Sequence, residues 1–337
     1  MVMTENNIIV SSRIRLARNL QGMSFPSLMS EQDFKDLNKK VKEAVLQSNT
    51  PFSRTLKYIE MDTVPEIEIY AMVERHIISP EFARKCKGKA IILSEDESVC
   101  IMIGEEDHIR IQVLKEGLSL EECYDVAERI DTLLCDKLQF AFKAQFGYLT
   151  ECPTNLGTGL RASVMLHLPL LEATKEISFI SDSVNKIGFT VRGIYGEGTS
   201  SEASLYQLSN QITLGISEKE ALSNLTAITN QIIEKEINAR QLTDKISLED
   251  SIYRSFGILS NARKLTSEEL MKYLSMIKLG LSMGILNMDN VLPDKILILG
   301  GPNMIMRKYG IMEPLERDIK RAEIVREYLT KGNCDEI

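Results

Sequence analysis

Residues 11–18 read SSRIRLAR, and this stretch decides the fold class. Arg13 and Arg15 alternate with Ile14 and Leu16, which is the period of two typical of a β-strand with one buried face. The two arginines therefore lie together on the opposite face. A planar guanidinium forms paired, charge-assisted hydrogen bonds with phosphate, so the pattern predicts a sheet with one face suited to an anion.

Other segments repeat this alternation. HIRIQV at 108–113 and RASVMLHL at 161–168 predict two more strands, which carry Arg110 and Arg161 on their polar faces. Shorter strands are predicted at 8–10, 90–93 and 100–103. Amphipathic helices are predicted at 30–46 and 119–137. From about Ser217 helical patterns dominate, including a capping box at 266–269. The sequence thus predicts an α+β domain followed by a mostly helical domain, with the boundary near residue 240.

The composition excludes several classes of protein. The chain has 337 residues, enough for one large and one smaller domain, and its formal net charge of -8 argues against a protein that coats nucleic acid or an anionic membrane. Six cysteines without a CxxC pair and three histidines without metal-ligand spacing predict no metal site and a reducing, cytoplasmic location. No apolar stretch approaches the roughly 20 residues that span a bilayer. We expect no membrane contact and no direct nucleic-acid partner.

Candidate chemical groups surround the predicted strands. Arg192 adds a fifth arginine to Arg13, Arg15, Arg110 and Arg161, and together these side chains could bind a triphosphate. A single arginine in a strand is more often solvated or ion-paired. The P-loop and the protein-kinase motifs are absent. An acidic triplet at 105–107 directly precedes HIRIQV, and Glu197 lies in a glycine-rich stretch. This pattern fits two interpretations. Glu106 and Glu197 could form a functional pair of carboxylates, or each could lie in a solvated turn.

Four motifs occur in the order seen in phosphagen (guanidino) kinases. They are SSRIRLARN (11–19), EEDHIR (105–110), CPTNLGTGLRASV (152–164) and RGIYGEG (192–198). The whole chain resembles the bacterial protein-arginine kinase branch of that family. The resemblance implies an antiparallel-sheet catalytic domain of the glutamine synthetase-like type at 8–240, and a helical domain at 241–337 for dimerisation and phosphoarginine binding. It also implies transfer of the γ-phosphoryl group of ATP to arginine residues of proteins, with Mg²⁺ held largely by phosphates and water.

The resemblance assigns roles to individual residues. It makes Glu106 the base that holds the substrate guanidinium, Glu197 the second carboxylate and Glu105 a supporting group. Cys152 matches the reactive cysteine beside the substrate, and the Thr154 hydroxyl would stabilise its thiolate, unless Cys152 is an inert core residue. The implied nucleotide contacts are Ser11, Ser12, Arg13, Ile14, Arg15, His76, Arg110, Arg161, Ala162, Ser163, Val164, Met165, Arg192, Gly193, Ile194, Tyr195, Gly196 and Glu197.

The segment RDIKRA at 317–322 resembles the RDxxRA motif of protein-arginine kinases. By that resemblance Arg317, Asp318, Arg321 and Ala322 bind phosphoarginine allosterically. By spacing alone they form a solvated helical face with an Asp318–Arg321 ion pair. The resemblance further implies a homodimer and a Clp-type unfoldase or protease that reads the product, so that phosphorylation marks proteins for degradation and regulates a stress response. A stress-gene repressor and a small zinc-binding activator are the other implied partners.

Three alternatives remain open. Metabolic guanidino kinases carry a separate helical domain that closes over a free amino acid, whereas seven residues precede the first predicted strand here, so we expect an arginine within a protein as the substrate. A kinase for a small guanidino compound is the first alternative, and a non-catalytic adaptor that binds phosphoarginine is the second. An ATP-dependent amide ligase of the same general fold is the third, but the several carboxylate metal ligands that it needs do not stand out in the sequence.

Overall fold

The computed structural model describes residues 8–48, 52–194, 201 and 203–331. Within these residues the strands are β1 (Ile9–Arg18), β2 (Leu56–Glu60), β3 (Ala90–Ser94), β4 (Val99–Ile103), β5 (Ile109–Glu116), β6 (Phe142–Lys143), β7 (Gly147–Tyr148), β8 (Leu160–His167), β9 (Phe189–Gly193) and β10 (Leu205–Asn210). The α-helices are α1 (Glu31–Leu46), α2 (Glu66–Glu74), α3 (Pro80–Arg84), α4 (Leu120–Cys135), α5 (Pro169–Ala173), α6 (Glu176–Asn185), α7 (Glu218–Leu242), α8 (Lys245–Asn261), α9 (Ser267–Ser282), α10 (Leu292–Leu299), α11 (Pro302–Tyr309) and α12 (Pro314–Lys331). Short 3-10 segments are Pro26–Leu28, Phe52–Thr55, Met61–Thr63 and Pro153–Asn155.

Eight strands form one antiparallel sheet in the order β2-β3-β4-β5-β1-β8-β10-β9, and β6 pairs with β7 in a separate hairpin. The SSRIRLAR strand, β1, lies inside the sheet between β5 and β8. Its register places Arg15 opposite Gln112 and Arg161, and Arg13 opposite Ser163. The predicted α+β fold, with an antiparallel sheet and a helical C-terminal part, is confirmed.

Local capping patterns set where two predicted helices begin. α1 starts after Ser30, whose side chain accepts a hydrogen bond from the Asp33 amide while the Asp33 carboxylate accepts one from the Ser30 amide. α9 starts with the predicted capping box of Thr266 and Glu269. These side chains satisfy amide groups of the first turn that have no partner within the helix. The helix starts therefore depend on neighbours in sequence.

One face of the sheet packs on the main core. Ile14, Leu16, Ile111, Ala162 and Leu208 are almost fully buried on this face. They belong to a large apolar cluster that includes buried residues of α1, α4 and α7. Because successive side chains of a strand point to opposite faces, the same strands present their arginines on the other side of the sheet.

The other face of the sheet is apolar at one side and polar at the other. At β3 and β4 the side chains of Ile91, Cys100 and Met102 pack against α2 and α3, where Met72 and Phe82 are buried. From β1 to β9 the same face carries arginine, serine and glutamine side chains. The polar part of the face therefore lies beside a closely packed apolar cluster, which supports it.

Helices α8 to α12 form the C-terminal part of the fold. Helices α8, α9, α10 and α12 share an apolar cluster in which Leu274, Ile296 and Val325 are buried. A polar contact joins this part to the sheet, because His167 Nε2 on β8 lies 2.8 Å from Ser275 Oγ on α9. Throughout the described ranges, no helix is both long enough and apolar enough to cross a membrane.

Candidate active site

The arginines predicted from separate motifs lie on one face of the sheet. Residues that are directly opposite in an antiparallel pair point to the same side. Arg13 and Arg15 point to this side from β1. The register adds Arg110 on β5 and Arg161 on β8, and Arg192 lies on the same side at the β9 edge. The tertiary structure thus brings together five cations that the sequence separates by up to 179 positions, from 13 to 192.

These guanidinium groups affect one another. Burial and the charges of Arg110 and Arg161 lower the pKa of Arg13 to about 10. Burial, and then the charge of Arg13, lower the pKa of Arg15 well below its ordinary value. The Arg15 Nε atom is buried and has no hydrogen-bond partner among the described residues. Because arginine keeps its charge at neutral pH, this face has a surplus of positive charge that a polyphosphate would neutralise.

A cavity of about 610 Å³ opens beside the arginines. Five predicted nucleotide contacts line it, namely Ser11, Arg13, His76, Ser163 and Met165. Small-molecule sites have volumes of about 300–1,000 Å³, so the cavity is large enough for a nucleoside. The arginine face and the cavity together have the form of a nucleotide site.

Four predicted positions point away from the cavity. Ile14, Ala162 and Val164 are fully buried in the main core. Ser12 is also buried, and its hydroxyl donates a hydrogen bond to the Gly117 carbonyl at 2.8 Å. Strand alternation is the reason, because these residues occupy the positions between the cavity-facing ones. Their side chains hold the two arginine strands in place.

His76 reaches the cavity from the turn after α2. Its φ of 61° is uncommon for a residue other than glycine. The His76 carbonyl accepts a hydrogen bond from Gln112 Nε2 at 2.8 Å, which supports this turn. Burial and the charge of Arg13 lower the pKa of His76 to about 4. The imidazole is therefore neutral at physiological pH, with one nitrogen as donor and the other as acceptor.

The acidic turn before β5 gives its carboxylates different environments. Glu105 is largely buried and forms an ion pair with Arg110. It also accepts hydrogen bonds from Ser79 Oγ at 2.7 Å and from the Glu106 amide at 2.8 Å. Burial alone would raise the pKa of Glu105, but Arg110 and these donors hold it below its ordinary value. Glu106 is exposed, so it is the carboxylate of the two that can meet a substrate.

Asp107 has a role that the sequence analysis missed. The residue is 1% exposed. The carboxylate accepts hydrogen bonds from Asn19 Nδ2 at 2.7 Å, the Glu151 amide at 2.8 Å and Asn155 Nδ2 at 3.2 Å. Asp107 thus joins the turn that carries the predicted base to the loop that carries the predicted reactive cysteine. All three partners come from distant segments, so they could not be predicted from the sequence near Asp107. The local sequence indicated only that Asp107 lies just before a buried strand.

Cys152 lies half-buried in this loop. Its Sγ atom is 3.0 Å from Thr154 Oγ1, in the arrangement that the sequence predicts. Glycine allows the loop to pack closely, because a side chain at Gly157 would meet the Thr213 carbonyl oxygen at 2.1 Å. The loop geometry therefore depends on a close approach between two backbone segments.

The structure describes only part of the last of the four motifs, RGIYGEG at 192–198. Three of its predicted positions lie outside the described residues: Tyr195, Gly196 and Glu197. Of the others, Arg192 is exposed, and Gly193 and Ile194 are partly exposed at the end of β9. The pairing of Glu106 with a second carboxylate therefore stays a prediction.

The C-terminal motif lies on α12. Arg321 is 1% exposed. Its Nε atom donates to the Gly300 carbonyl at 2.7 Å, and Nη1 donates to the Leu265 carbonyl at 2.7 Å and to Asp318 Oδ1 at 2.5 Å. The Asp318–Arg321 pair is present, but Arg321 is buried instead of solvated because it also holds two backbone carbonyls. Arg317 is half-buried on the same helix.

Two parts of the chain match known protein families. Residues 36–239 match the family described as ATP:guanido phosphotransferase, C-terminal catalytic domain. Residues 245–336 match the Protein-arginine kinase McsB C-terminal domain. The chain belongs to the protein-arginine kinase family. The first match includes the acidic turn and the Cys152 loop of this kinase, and the second includes the motif at 317–322.

Relatives of this kinase are similar along almost their whole length. The protein-arginine kinase of Halothermothrix orenii is 46% identical over 327 residues, which cover 96% of this chain and 93% of that protein. The protein-arginine kinase of Caldanaerobacter subterraneus subsp. tengcongensis is 42% identical over 335 residues, or 98% of this chain and 99% of that protein. The protein-arginine kinase of Bacillus subtilis is 42% identical over 331 residues, which cover 96% of this chain and 91% of that protein.

Solved structures share the fold of this kinase. A lombricine kinase superposes with a TM-score of 0.62 at 21% identity, covering 71% of this chain and 69% of that chain. The duplicated taurocyamine kinase from Schistosoma mansoni, with bound transition state analog components, superposes with a TM-score of 0.62 at 24% identity, covering 78% of this chain and 38% of that chain. The structural similarity confirms the guanidino-kinase fold. The family match makes the chain an ATP-dependent guanidino phosphotransferase, as the sequence predicts.

Proposed function

We propose that this kinase transfers the γ-phosphoryl group of ATP to the guanidinium group of arginine residues in proteins. One observation supports this most directly. The exposed carboxylate of Glu106 lies three residues before Ile109, the first residue of the strand from which Arg110 joins the arginine face. An acceptor guanidinium held by Glu106 and a triphosphate held by the arginines would therefore meet at one end of β5. The relatives described above carry the name of this activity.

The acceptor chemistry requires a carboxylate. A guanidinium has a pKa above about 12 and offers no free lone pair for attack at neutral pH. Glu106 aligns the guanidinium and takes a proton from the attacking nitrogen while the nitrogen–phosphorus bond forms. The bond from the γ-phosphorus to the oxygen that bridges it to the β-phosphate breaks, and ADP leaves with that electron pair. Glu197 would be the second carboxylate, and the family resemblance supports that role.

The donor chemistry requires positive charge in fixed positions. Phosphoryl transfer depends mainly on in-line alignment and on neutralisation of charge at the transferred group. The arginine face supplies that charge, and the orphaned Arg15 Nε is a donor in need of an acceptor. No group of three or more His, Cys, Asp or Glu side chains within the described ranges could hold a metal ion. Mg²⁺ would therefore arrive bound to the triphosphate and keep mainly phosphate and water ligands.

Cys152 is proposed as the reactive cysteine beside the acceptor. Thr154 Oγ1 is 3.0 Å from the Cys152 sulfur, so the hydroxyl and the thiol share a hydrogen bond. A thiolate there would add negative charge next to the bound guanidinium. Oxidation of this sulfur would add bulk and remove the thiolate, so peroxide would inactivate the kinase.

The motif on α12 is proposed to bind phosphoarginine as an allosteric ligand. Its residues would be Arg317, Asp318, Arg321 and Ala322. Arg321 already holds carbonyl groups of the loops before α9 and before α11. A ligand that engaged this guanidinium or the Asp318 carboxylate would therefore alter contacts of both loops, which gives the site a physical route to the rest of the helical domain.

The wider role is proposed from the family resemblance. The kinase would act in the cytoplasm as a homodimer, and its product would direct proteins to a Clp-type unfoldase or protease. A stress-gene repressor would be a target, and a small zinc-binding protein would be an activator. Ile246 and Tyr253 on α8 are 79% and 55% exposed, which supports a dimer surface on the helical domain. Light scattering on the purified full chain would measure the oligomeric state.

Labelling with radioactive ATP tests the central proposal. An unfolded protein that contains arginine and free arginine are incubated separately with the kinase, and acid lability identifies a nitrogen–phosphorus bond. We expect acid-labile phosphate on the protein, and Glu106→Gln to lower the rate by about 100- to 10,000-fold. Glu249→Gln, at an exposed carboxylate on α8, is the matched control. Preference for free arginine would instead indicate a small-molecule kinase, and no label on either would indicate a phosphoarginine-binding adaptor.

A further inference from the structure

We propose that the helical C-terminal domain forms one wall of the nucleotide site, where Asp294 on α10, held by Lys278 on α9, binds the ribose hydroxyls of ATP. The inference rests on the proposed function, because it takes the cavity beside the arginine face as the place of the nucleoside. Neither residue lies in a motif that this chain shares with guanidino kinases.

The cavity is lined by both domains. Ser11, Arg13 and Ser163 line it from the sheet, and Lys278 and Asp294 line it from the helical domain. A triphosphate on the arginine face leaves the rest of the nucleotide to extend along β1, away from Arg15. The cavity follows that direction. The sugar and the base would therefore lie between the two domains.

Exposed apolar side chains indicate the end of the cavity that holds the base. Leu118, Val291 and Ile298 are 37%, 52% and 38% exposed. All three line the cavity, the first from the sheet domain and the other two from the helical domain. Large apolar side chains that converge on one concave surface without covering one another are typical of a ligand-binding groove. A purine ring placed there would cover them.

The positions along β1 then place the ribose between these ends. Arg13 marks the phosphate end, and Ile9 lines the cavity four residues earlier in the same strand. Four residues of a strand span about 13 Å, which is comparable to the length of an adenosine. The groups that face the middle of this span are the ones that would meet the sugar.

The ion pair of Lys278 and Asp294 has the chemistry for a diol. Lys278 Nζ lies 2.6 Å from each carboxylate oxygen of Asp294. The lysine side chain is 12% exposed and the aspartate side chain is 38% exposed, so the lysine is covered while the carboxylate stays accessible. A carboxylate has about four lone-pair sites, and the lysine occupies two of them. The remaining sites can accept hydrogen bonds from two adjacent hydroxyl groups.

This arrangement links nucleotide binding to the position of the helical domain. A ligand that contacts both walls binds more tightly when the walls are correctly docked, and by reciprocity it stabilises the docking. Ser275, which contacts His167 of β8, lies on the same helix as Lys278. The nucleotide would therefore reinforce a junction that already exists between β8 and α9.

Calorimetric titration of the full chain tests the inference without turnover. ADP is compared with 2′,3′-dideoxy-ADP, which lacks both hydroxyls. Hydrogen bonds to a charged group contribute about 1.5–3 kcal/mol, so the wild-type protein should bind ADP at least about tenfold more tightly than the dideoxy analogue. Asp294→Asn should reduce this ratio severalfold, mainly by weakening the binding of ADP, because asparagine keeps one oxygen acceptor but not the charge. In the kinase assay it should raise KM for ATP and leave kcat within about twofold, since the reacting groups are untouched.

Two further variants separate recognition from general damage. Lys278→Met should also lower the ADP preference, because the carboxylate loses the group that orients it. Asp250 and Arg254 form an exposed ion pair on α8 with an N–O distance of 2.6 Å, and their replacement by Asn and Met should leave the preference unchanged. A wild-type preference in a folded Asp294→Asn protein would overturn the inference. If that variant loses the preference but the wild-type protein phosphorylates no arginine, the inference stands and the proposed function fails.

Discussion

Glu74 on α2 and Asn303 on α11 are 229 positions apart, yet the Glu74 carboxylate accepts hydrogen bonds from the Asn303 amide at 2.9 Å and from its Nδ2 at 2.6 Å. The Met304 amide donates to the other carboxylate oxygen at 2.9 Å. These amides belong to the first turn of α11, where they have no partner within the helix and where the helix dipole favours a negative charge. A residue from the part of the chain that forms the sheet thus caps a helix of the C-terminal part.

We therefore expect Glu74→Gln to weaken the junction between the domains. Loss of the charge and of one acceptor should lower the free energy of unfolding by about 1–2 kcal/mol, as for other helix caps. KM for ATP should also rise, because Arg75 and His76, which follow directly, line the cavity. Urea denaturation and steady-state kinetics measure the two effects. Glu249→Gln is the control, and equal unfolding midpoints for the two variants would contradict the prediction.

Asp107→Asn should slow phosphoryl transfer more than it affects ATP binding. All three partners of Asp107 donate N–H groups, so an amide nitrogen in its place would face a donor. We expect a loss of about 1–3 kcal/mol in the free energy of unfolding, together with a lower kcat. KM for ATP should change little, because the arginine face does not depend on this contact. Asp125→Asn, at an exposed position on α4, should match the wild-type protein in both measurements.

Arg15→Gln should mainly weaken nucleotide binding. The buried Nε of Arg15 needs an acceptor, and a hydrogen bond to a charged group contributes about 1.5–3 kcal/mol, so the Kd for ADP should rise about 10- to 100-fold. Calorimetric titration measures this directly. Arg129→Gln removes an exposed charge on α4 and controls for the change in net charge. Unaltered ADP affinity in Arg15→Gln would mean that the phosphates do not lie on this face.

Thr154→Val should slow alkylation of Cys152 by iodoacetamide at pH 7. The variant keeps the shape of the side chain but removes the hydroxyl that lies 3.0 Å from the sulfur. Mass spectrometry of the peptide that contains Cys152 measures the rate, and exposed Cys135 serves as an internal reference. Cys152→Ser should protect whatever activity it retains from peroxide. Peroxide that inactivates this variant as fast as the wild-type protein would rule out Cys152 as the redox-sensitive site.

His76→Asn should flatten the pH dependence of stability between about pH 4 and 6.5. The folded state lowers the pKa of His76 from 6.5 to about 4, so in this range the unfolded state binds more protons than the folded state. Stability contributed by neutral His76 is therefore complete above pH 6.5 and is lost as the pH falls toward 4. Asparagine tolerates the positive φ at this position. Urea denaturation at several pH values measures how the free energy of unfolding depends on pH. In His76→Asn the slope of that dependence should be smaller than in the wild-type protein by up to the equivalent of one proton, and an unchanged slope would contradict the prediction.

The strands and helix starts were predictable because they depend on near neighbours. Alternation in SSRIRLAR placed Arg13 and Arg15 on one face, and the structure confirms this placement. The capping box of Thr266 and Glu269 likewise needs only residues three apart. In the same way, Thr154 was predicted beside Cys152 because both lie in one short motif. These features are set by backbone period and by short-range hydrogen bonds.

The register and the long-range polar contacts could not be obtained in this way. Alternation cannot tell which strand lies beside β1, so the pairing of Arg15 with Arg161 depends on how the whole sheet assembles. The sequence near Asp107 is also typical of a solvated acidic turn, whereas in the structure its carboxylate accepts hydrogen bonds from three distant residues. In both cases a single residue has no local preference that identifies its partner.

The sequence by itself therefore determined the elements, their polar faces and the chemistry of the motifs, because helix caps, strand alternation and side-chain type act within a few residues. Only the tertiary structure decided that Glu74 caps α11, that Arg321 is buried among backbone carbonyls, and that Lys278 and Asp294 line the same cavity as Arg13. The physical reason is that each of these contacts joins segments tens to hundreds of residues apart, and such segments meet only when the apolar clusters on both faces of the sheet and between the helices pack together.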